Sequence, residues 1–131
     1  MTNLLNALTQ GIPLLLAPPI SRTSTLTGTG IDVQDYEGGA LIVLNAAAAT
    51  AGSTPTCIVK LQHSAASGSG YEDVTGAVFT TITDASGTAG VQHLHVNVSS
   101  LMRYLRVIGT IAGANAAFDF AAEFIGVKKA S

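Results

Sequence analysis

Thr56-Cys57-Ile58-Val59-Lys60-Leu61-Gln62-His63-Ser64 is the stretch that decides the fold. Cys57, Val59, Leu61 and His63 fall on one side of it, and Thr56, Lys60, Gln62 and Ser64 on the other. Ile58 alone breaks the pattern. Successive side chains of a strand point to opposite faces, so this segment reads as a strand with an inside and an outside. The same period recurs downstream. Leu94, Val96 and Val98 oppose His93, His95 and Asn97; Leu105, Val107 and Ile111 oppose Tyr104, Arg106 and Thr110; Phe118, Phe120, Ala122 and Phe124 oppose Asp119 and Glu123.

Working outward, runs rich in Val, Ile, Thr and Phe alternate with clusters of Gly, Ser, Asp and Ala from residue 21 onward. Strands are expected near residues 21–26, 31–36, 40–45, 56–64, 77–83, 91–98, 103–111 and 117–127. The fold class this implies is all-β, an antiparallel β-sandwich of about eight strands with a jelly-roll-like character. Residues 46–55, 65–70 and 84–90 read as loops rich in glycine and other small residues. The alanine run over residues 46–51 has helical propensity, but it is too short to nucleate a helix and ends in Gly52 and Pro55, so it too reads as loop.

The chain has 131 residues, enough for one core, and one domain is expected over residues 21–131. Apolar residues make up 47% and charged residues only 11%, so much of the surface must be neutral or covered, as in a protein that lives in an assembly. The formal charge of −2 and the lone basic pair Lys128-Lys129 give no footprint for nucleic acid. One cysteine, Cys57, excludes an intrachain disulfide. Residues 1–20 stand apart as an apolar arm carrying Leu4, Leu5, Leu8, Ile12, Leu14, Leu15 and Leu16. No positive charge precedes the apolar run and Pro13 interrupts it, which argues against a signal peptide. It is also shorter than the roughly 20 apolar residues a membrane helix needs. These leucines and Ile12 are the expected interface to a neighbour; a first strand packed on its own domain is the alternative reading.

Reactive chemistry finds little support. His93 and His95 share a strand face and could begin a metal site, or ring a symmetry axis and make assembly pH-sensitive. A third ligand is missing from the pattern, with His63 or Asp119 the only suggestions. Cys57 keeps register with Val59 and Leu61 and reads as core. Gly68-Ser69-Gly70 lacks the spacing of a nucleophile elbow. Asp32, Asp35 and Glu37, or Glu72 and Asp73, lie in no calcium-loop motif. Gly28-Thr29-Gly30 and Gly87-Thr88-Ala89-Gly90 extend into no phosphate-binding pattern. There is no tryptophan, and Tyr36, Tyr71 and Tyr104 read as packing residues rather than a sugar platform. The expectation is a non-enzymatic protein with no cofactor and no metal.

Asp35-Tyr36-Glu37-Gly38, Leu41-Ile42-Val43-Leu44-Asn45, Val59-Lys60-Leu61-Gln62-His63-Ser64 and Asp73-Val74-Thr75-Gly76-Ala77-Val78-Phe79, taken together, resemble the decoration or cement proteins of tailed bacteriophages. Val96-Asn97-Val98, Arg103-Tyr104-Leu105-Arg106 and the closing Ile125-Gly126-Val127-Lys128-Lys129 are similar to the same small virion proteins. The resemblance spans residues 32–129. It implies a β-sandwich subunit, commonly a homotrimer, made in the bacterial cytoplasm. Such a subunit sits on the outer capsid surface and stabilises the lattice by bridging copies of the major capsid protein, with no nucleic-acid or membrane partner. The alternative that shares this fold is another virion surface component, a head spike, tail or fibre protein that contacts a host receptor or carbohydrate.

Overall fold

The structure, a computed structural model, describes residues 11–128. The strands are β1 (Gly11–Arg22), β2 (Leu26–Thr27), β3 (Ile31–Asp32), β4 (Tyr36–Ala46), β5 (Ala51–Ser64), β6 (Glu72–Val78), β7 (Gly90–Asn97) and β8 (Tyr104–Lys128). They form an 8-stranded antiparallel arrangement along the path β6-β5-β8-β4-β7, with β1, β2 and β3 also paired to β8. The sheet rolls up until it nearly closes into a barrel, and it divides naturally into two faces. Sheet A is β1, the C-terminal half of β8, β4 and β7; sheet B is β2 and β3, the N-terminal half of β8, β5 and β6.

β8 makes this possible. The segments expected as two strands, 103–111 and 117–127, are one strand of 25 residues that serves both sheets. Its inward residues are odd-numbered at first, with Leu105 and Val107 fully buried, and even-numbered later, with Phe118, Phe120, Ala122 and Phe124 buried. An odd-to-even change means one extra residue, since a one-residue slip turns every side chain to the other face. The slip falls at Gly113 and Asn115, both with positive φ (109° and 55°). Partner strand β5 bends beside them at Gly52 and Thr54, and its register with β8 shifts between Ser53 and Thr56. The stretch expected as a loop over residues 46–55 is therefore mostly strand; only residues 47–50 lie outside β4 and β5.

The core is the space between the sheets. Ile42 and Leu44 of β4 face Cys57, Val59 and Leu61 of β5, with Phe118 and Phe124 among the largest fully buried side chains. Gly109 lets the sheets close in: a Cβ there would meet Phe120 Cζ at 2.7 Å. Burying Phe118 and Phe124 contributes about 1.5–3 kcal/mol each over leaving them exposed.

The chain enters the sheet earlier than the strand expected at residues 21–26. β1 begins at Gly11 and runs along β8 to Arg22, with register shifts around Ala17. Its outer edge is unpaired among the described residues, so Pro13, Pro18 and Pro19 cost no ladder hydrogen bond on that side. β6 likewise spans Glu72–Val78 rather than 77–83, because after it the chain peels off into a bridge from Ile82 to Cys57. Ser64, expected on the polar face, is buried. Its hydroxyl donates to the Ser69 carbonyl and accepts from the Ala66 N–H, pinning the turn that follows β5.

Candidate docking surface

The two outward faces differ in chemistry. On sheet B, the Arg106 guanidinium donates to Gln62 Oε1 at 2.8 and 3.0 Å and lies 3.9 Å from the centre of the Tyr71 ring. Gln62 in turn donates to Asp73 Oδ1 at 2.9 Å, and Lys60 Nζ lies 3.0 Å from Asp73 Oδ2. Gln62 and Lys60 hold the Asp73 carboxyl below the usual aspartate range. These groups satisfy one another across the sheet, while Ile58 and Val78 stand exposed beside them.

Sheet A has no such polar network among the described residues. Its strand registers align Leu15, Glu123, Val43 and His93 in one cross-strand row, and Ile125, Leu41 and His95 in the next. Ala121, Asn45 and Val91 make a third row. Leu15 and Val91 are 57% and 67% exposed, and Leu41, Val43 and Ile125 are half-buried by their neighbours alone. Glu123 is the only carboxylate in these rows, and the ion pairs found among the described residues, Lys60–Asp73 and Arg103–Asp32, lie elsewhere. These rows set five large apolar side chains, Leu15, Leu41, Val43, Val91 and Ile125, among Glu123, Asn45, His93 and His95.

The residues 1–20 expected as an arm divide in two. Leu4, Leu5 and Leu8 lie outside the described residues, and of the side chain of Ile12 nothing is described. From Gly11 on, the segment is β1. Leu16 is buried at 3% exposure, Leu14 packs on the core, and Leu15 faces outward into the rows above. Leu15 alone of these three is exposed.

The sequence's reactive candidates are dispersed. His93 and His95 stand exposed on β7 with ring centroids 6.4 Å apart, edge to face. No group of three or more potential metal ligands occurs among the described residues. His63 is on the other sheet, where its Nδ1 accepts from the Met102 N–H at 3.2 Å and its Nε2 lies 3.7 Å from Glu72. Cys57 is fully buried, and burial pushes its thiol up to about 11. Asp32 is held by Arg103 at 2.8 and 3.1 Å and by the Gln34 N–H at 2.9 Å, which lower its pKa in that order. Tyr36 is buried edge-on against Phe124, with centroids 5.1 Å apart, and Tyr104 lies under Arg103 at 5.2 Å.

Two features have no simple sequence signal. A groove of about 320 Å³ opens at one end of the sandwich between Val33, Tyr36 and Gly38 on one side and Val98, Leu101 and Met102 on the other. Arg22, at the end of β1, spreads over the Phe120 ring at 5.1 Å and donates to the Pro18 carbonyl at 2.6 Å, while its buried Nε finds no partner. Both depend on residues far apart in sequence.

No protein-family model matches this sequence, and no curated protein matches it. Among solved structures, the chain is similar to the SPBc2 prophage-derived protein YomS, at 8% identity and a TM-score of 0.47, over 88% of this chain and 93% of that one. It is also similar to part of dimeric latent PorU from Porphyromonas gingivalis, at 16% identity and a TM-score of 0.45, over 92% of this chain and 13% of that one.

Proposed function

We propose that this chain is a structural protein of a tailed-phage virion, a decoration or cement subunit. It docks on the outer capsid surface as a homo-oligomer and bridges copies of the major capsid protein. The observation that carries this reading is the outward face of sheet A, where Leu15, Leu41, Val43, Val91 and Ile125 stand in neighbouring cross-strand rows whose one carboxylate is Glu123, with Asp119 and Glu37 at the margins. It joins the low charge of the chain and the likeness of residues 32–129 to decoration proteins.

The mechanism is mechanical. Covering this face on a partner contributes on the order of 5 kcal/mol gross, since each side chain is already partly buried. Association costs remove much of that. A single contact is thus weak, and its effect comes from repetition: each copy ties neighbouring capsid subunits together, and many copies resist expansion of the shell. Co-sedimentation of the purified protein with capsids that lack it tests the reading. The wild-type protein pellets with the capsids, and the Val43→Asp variant, folded by circular dichroism, stays in the supernatant. Equal pelleting of both removes sheet A from the interface.

A further inference from the structure

The barrel fails to close between β6 and β7, the two ends of the strand path. Among the described residues no backbone hydrogen bond joins them. At one end of this seam the Gln92 side chain of β7 does the joining. Its Oε1 accepts from the Thr80 N–H at 2.8 Å and its Nε2 donates to the Thr80 carbonyl at 3.1 Å. A primary amide is the chemical equivalent of one peptide group, and here it makes the paired bonds a neighbouring strand would make. Beyond Gln92 the seam widens into a groove of about 190 Å³ with half-buried Val74, Leu94, Val96 and Leu101 in its walls.

The two walls are not alike. β7 is regular from Gly90 to Asn97, paired to β4 on one edge and, among the described residues, unpaired on the other. β6 swells: its register against β5 passes from Lys60↔Val78 to Gln62↔Asp73, and Gly76 sits at the bulge with φ 78° and open space around it. A bulge cannot itself pair, but it makes room beside an edge that can. Among the described residues the seam therefore has a free hydrogen-bonding edge on β7 and a gap beside it, with half-buried Val74, Leu94, Val96 and Leu101 set among polar groups such as Thr75, Asn97 and Ser100, which is an arrangement that accepts an added strand.

We propose that the seam is filled by residues 1–10 of a second copy of this chain, added along the free edge of β7. In an extended segment Leu4, Asn6 and Leu8 share one face, so both leucines reach Leu94, Val96, Val74 and Leu101 together. The length of the segment selects a second copy over its own seam. Gly11 pairs with Val127, and from there β7 lies across β8 and β4. That is about 14 Å at roughly 4.8 Å per strand step. Crossing it uses at least about four residues at 3.3–3.6 Å each, which takes Leu8 out of the seam. A segment that continues outward from β1 into a neighbour makes no such crossing of its own sheet. Head-to-tail contacts of this kind close into rings, and a cyclic trimer is one such ring.

The test uses the free protein without capsids, so its outcome is independent of the decoration reading. Two variants, Asn6→Cys and Thr75→Cys, are purified separately, mixed and oxidised; the native Cys57 is buried and stays out of the reaction. The proposal expects a disulfide-linked pair containing one chain of each, and loss of that pair when the Asn6→Cys protein also carries Leu4→Asp and Leu8→Asp. It also expects the amides of β7 to exchange faster when residues 1–10 are deleted. A link that forms only within single chains of the Asn6→Cys/Thr75→Cys double variant overturns the proposal in favour of self-closure. Absence of any link, with β7 exchange unchanged by the deletion, overturns it altogether.

Discussion

Cys57 pairs across the sheet with Ile111 and bridges to Ile82, so its thiol is walled in on both sides. Burial that raises it to about 11 keeps it protonated at neutral pH, and a protonated thiol is a poor nucleophile. The folded protein is expected to resist a thiol reagent at pH 8 and to react fully in denaturant; reaction at the rate of a free thiol in the native state would contradict the burial. Asp32 tests charge at the same scale. Its carboxyl is depressed below the ordinary value near 3.9 by Arg103 and by the Gln34 N–H, so the native state prefers it ionised. The stability this gives is present above that ordinary range and is lost as pH falls through the depressed value. The groups are exposed and solvent screens them, so the effect is modest. Asp32→Asn is expected to flatten the acid limb of a plot of urea midpoint against pH, leaving the neutral midpoint only slightly lower. Individual residues were legible where alternation governed them: Cys57, Val59 and Leu61 inward, His93 and His95 outward. Ser64 was not, because its burial follows from hydrogen bonds to Ser69 and Ala66 that only the folded turn brings together.

At the scale of elements, the bend in β8 carries the architecture. Gly113 has φ 109°, and a Cβ there would lie 2.9 Å from both Pro55 Cα and the Ser53 carbonyl oxygen. Gly113→Ala therefore combines backbone strain with a clash against backbone, and it is expected to cost at least about 1–3 kcal/mol in urea denaturation. Gly87→Ala, at a glycine with open space and no positive φ, is expected to leave stability nearly unchanged. Equal effects at the two sites would mean that the bend is not constrained as described. Period-two reading found both halves of β8 but not their continuity, since residues 112–116 (Ala-Gly-Ala-Asn-Ala) have neither large apolar side chains nor alternation. For residues 11–20 the sequence left an arm and a first strand packed on its own domain both open, and the structure has the strand β1. Its prolines read as interruptions, and they are tolerated only because β1 is an edge, a property of the sheet rather than of the segment.

For the whole molecule, the outward face of sheet B carries a network of mutually satisfied polar groups beside Ile58 and Val78, while that of sheet A gathers Leu15, Leu41, Val43, Val91 and Ile125 in neighbouring rows, and this difference underlies the proposed docking. Alternation made the β-sandwich class legible, and low charge pointed to a covered surface. Which apolar side chains gather on one face was not legible, because the rows joining Leu15, Val43 and His93 depend on strand order and register. The measurement that tests the central claim most directly is cryo-electron microscopy of decoration-free capsids mixed with this protein. The account predicts ordered density at regular lattice positions with Leu15, Val43 and Ile125 turned toward the shell, and none with Val43→Asp. Capsids left bare by the wild-type protein, or coated through the Arg106 and Gln62 face, would contradict it.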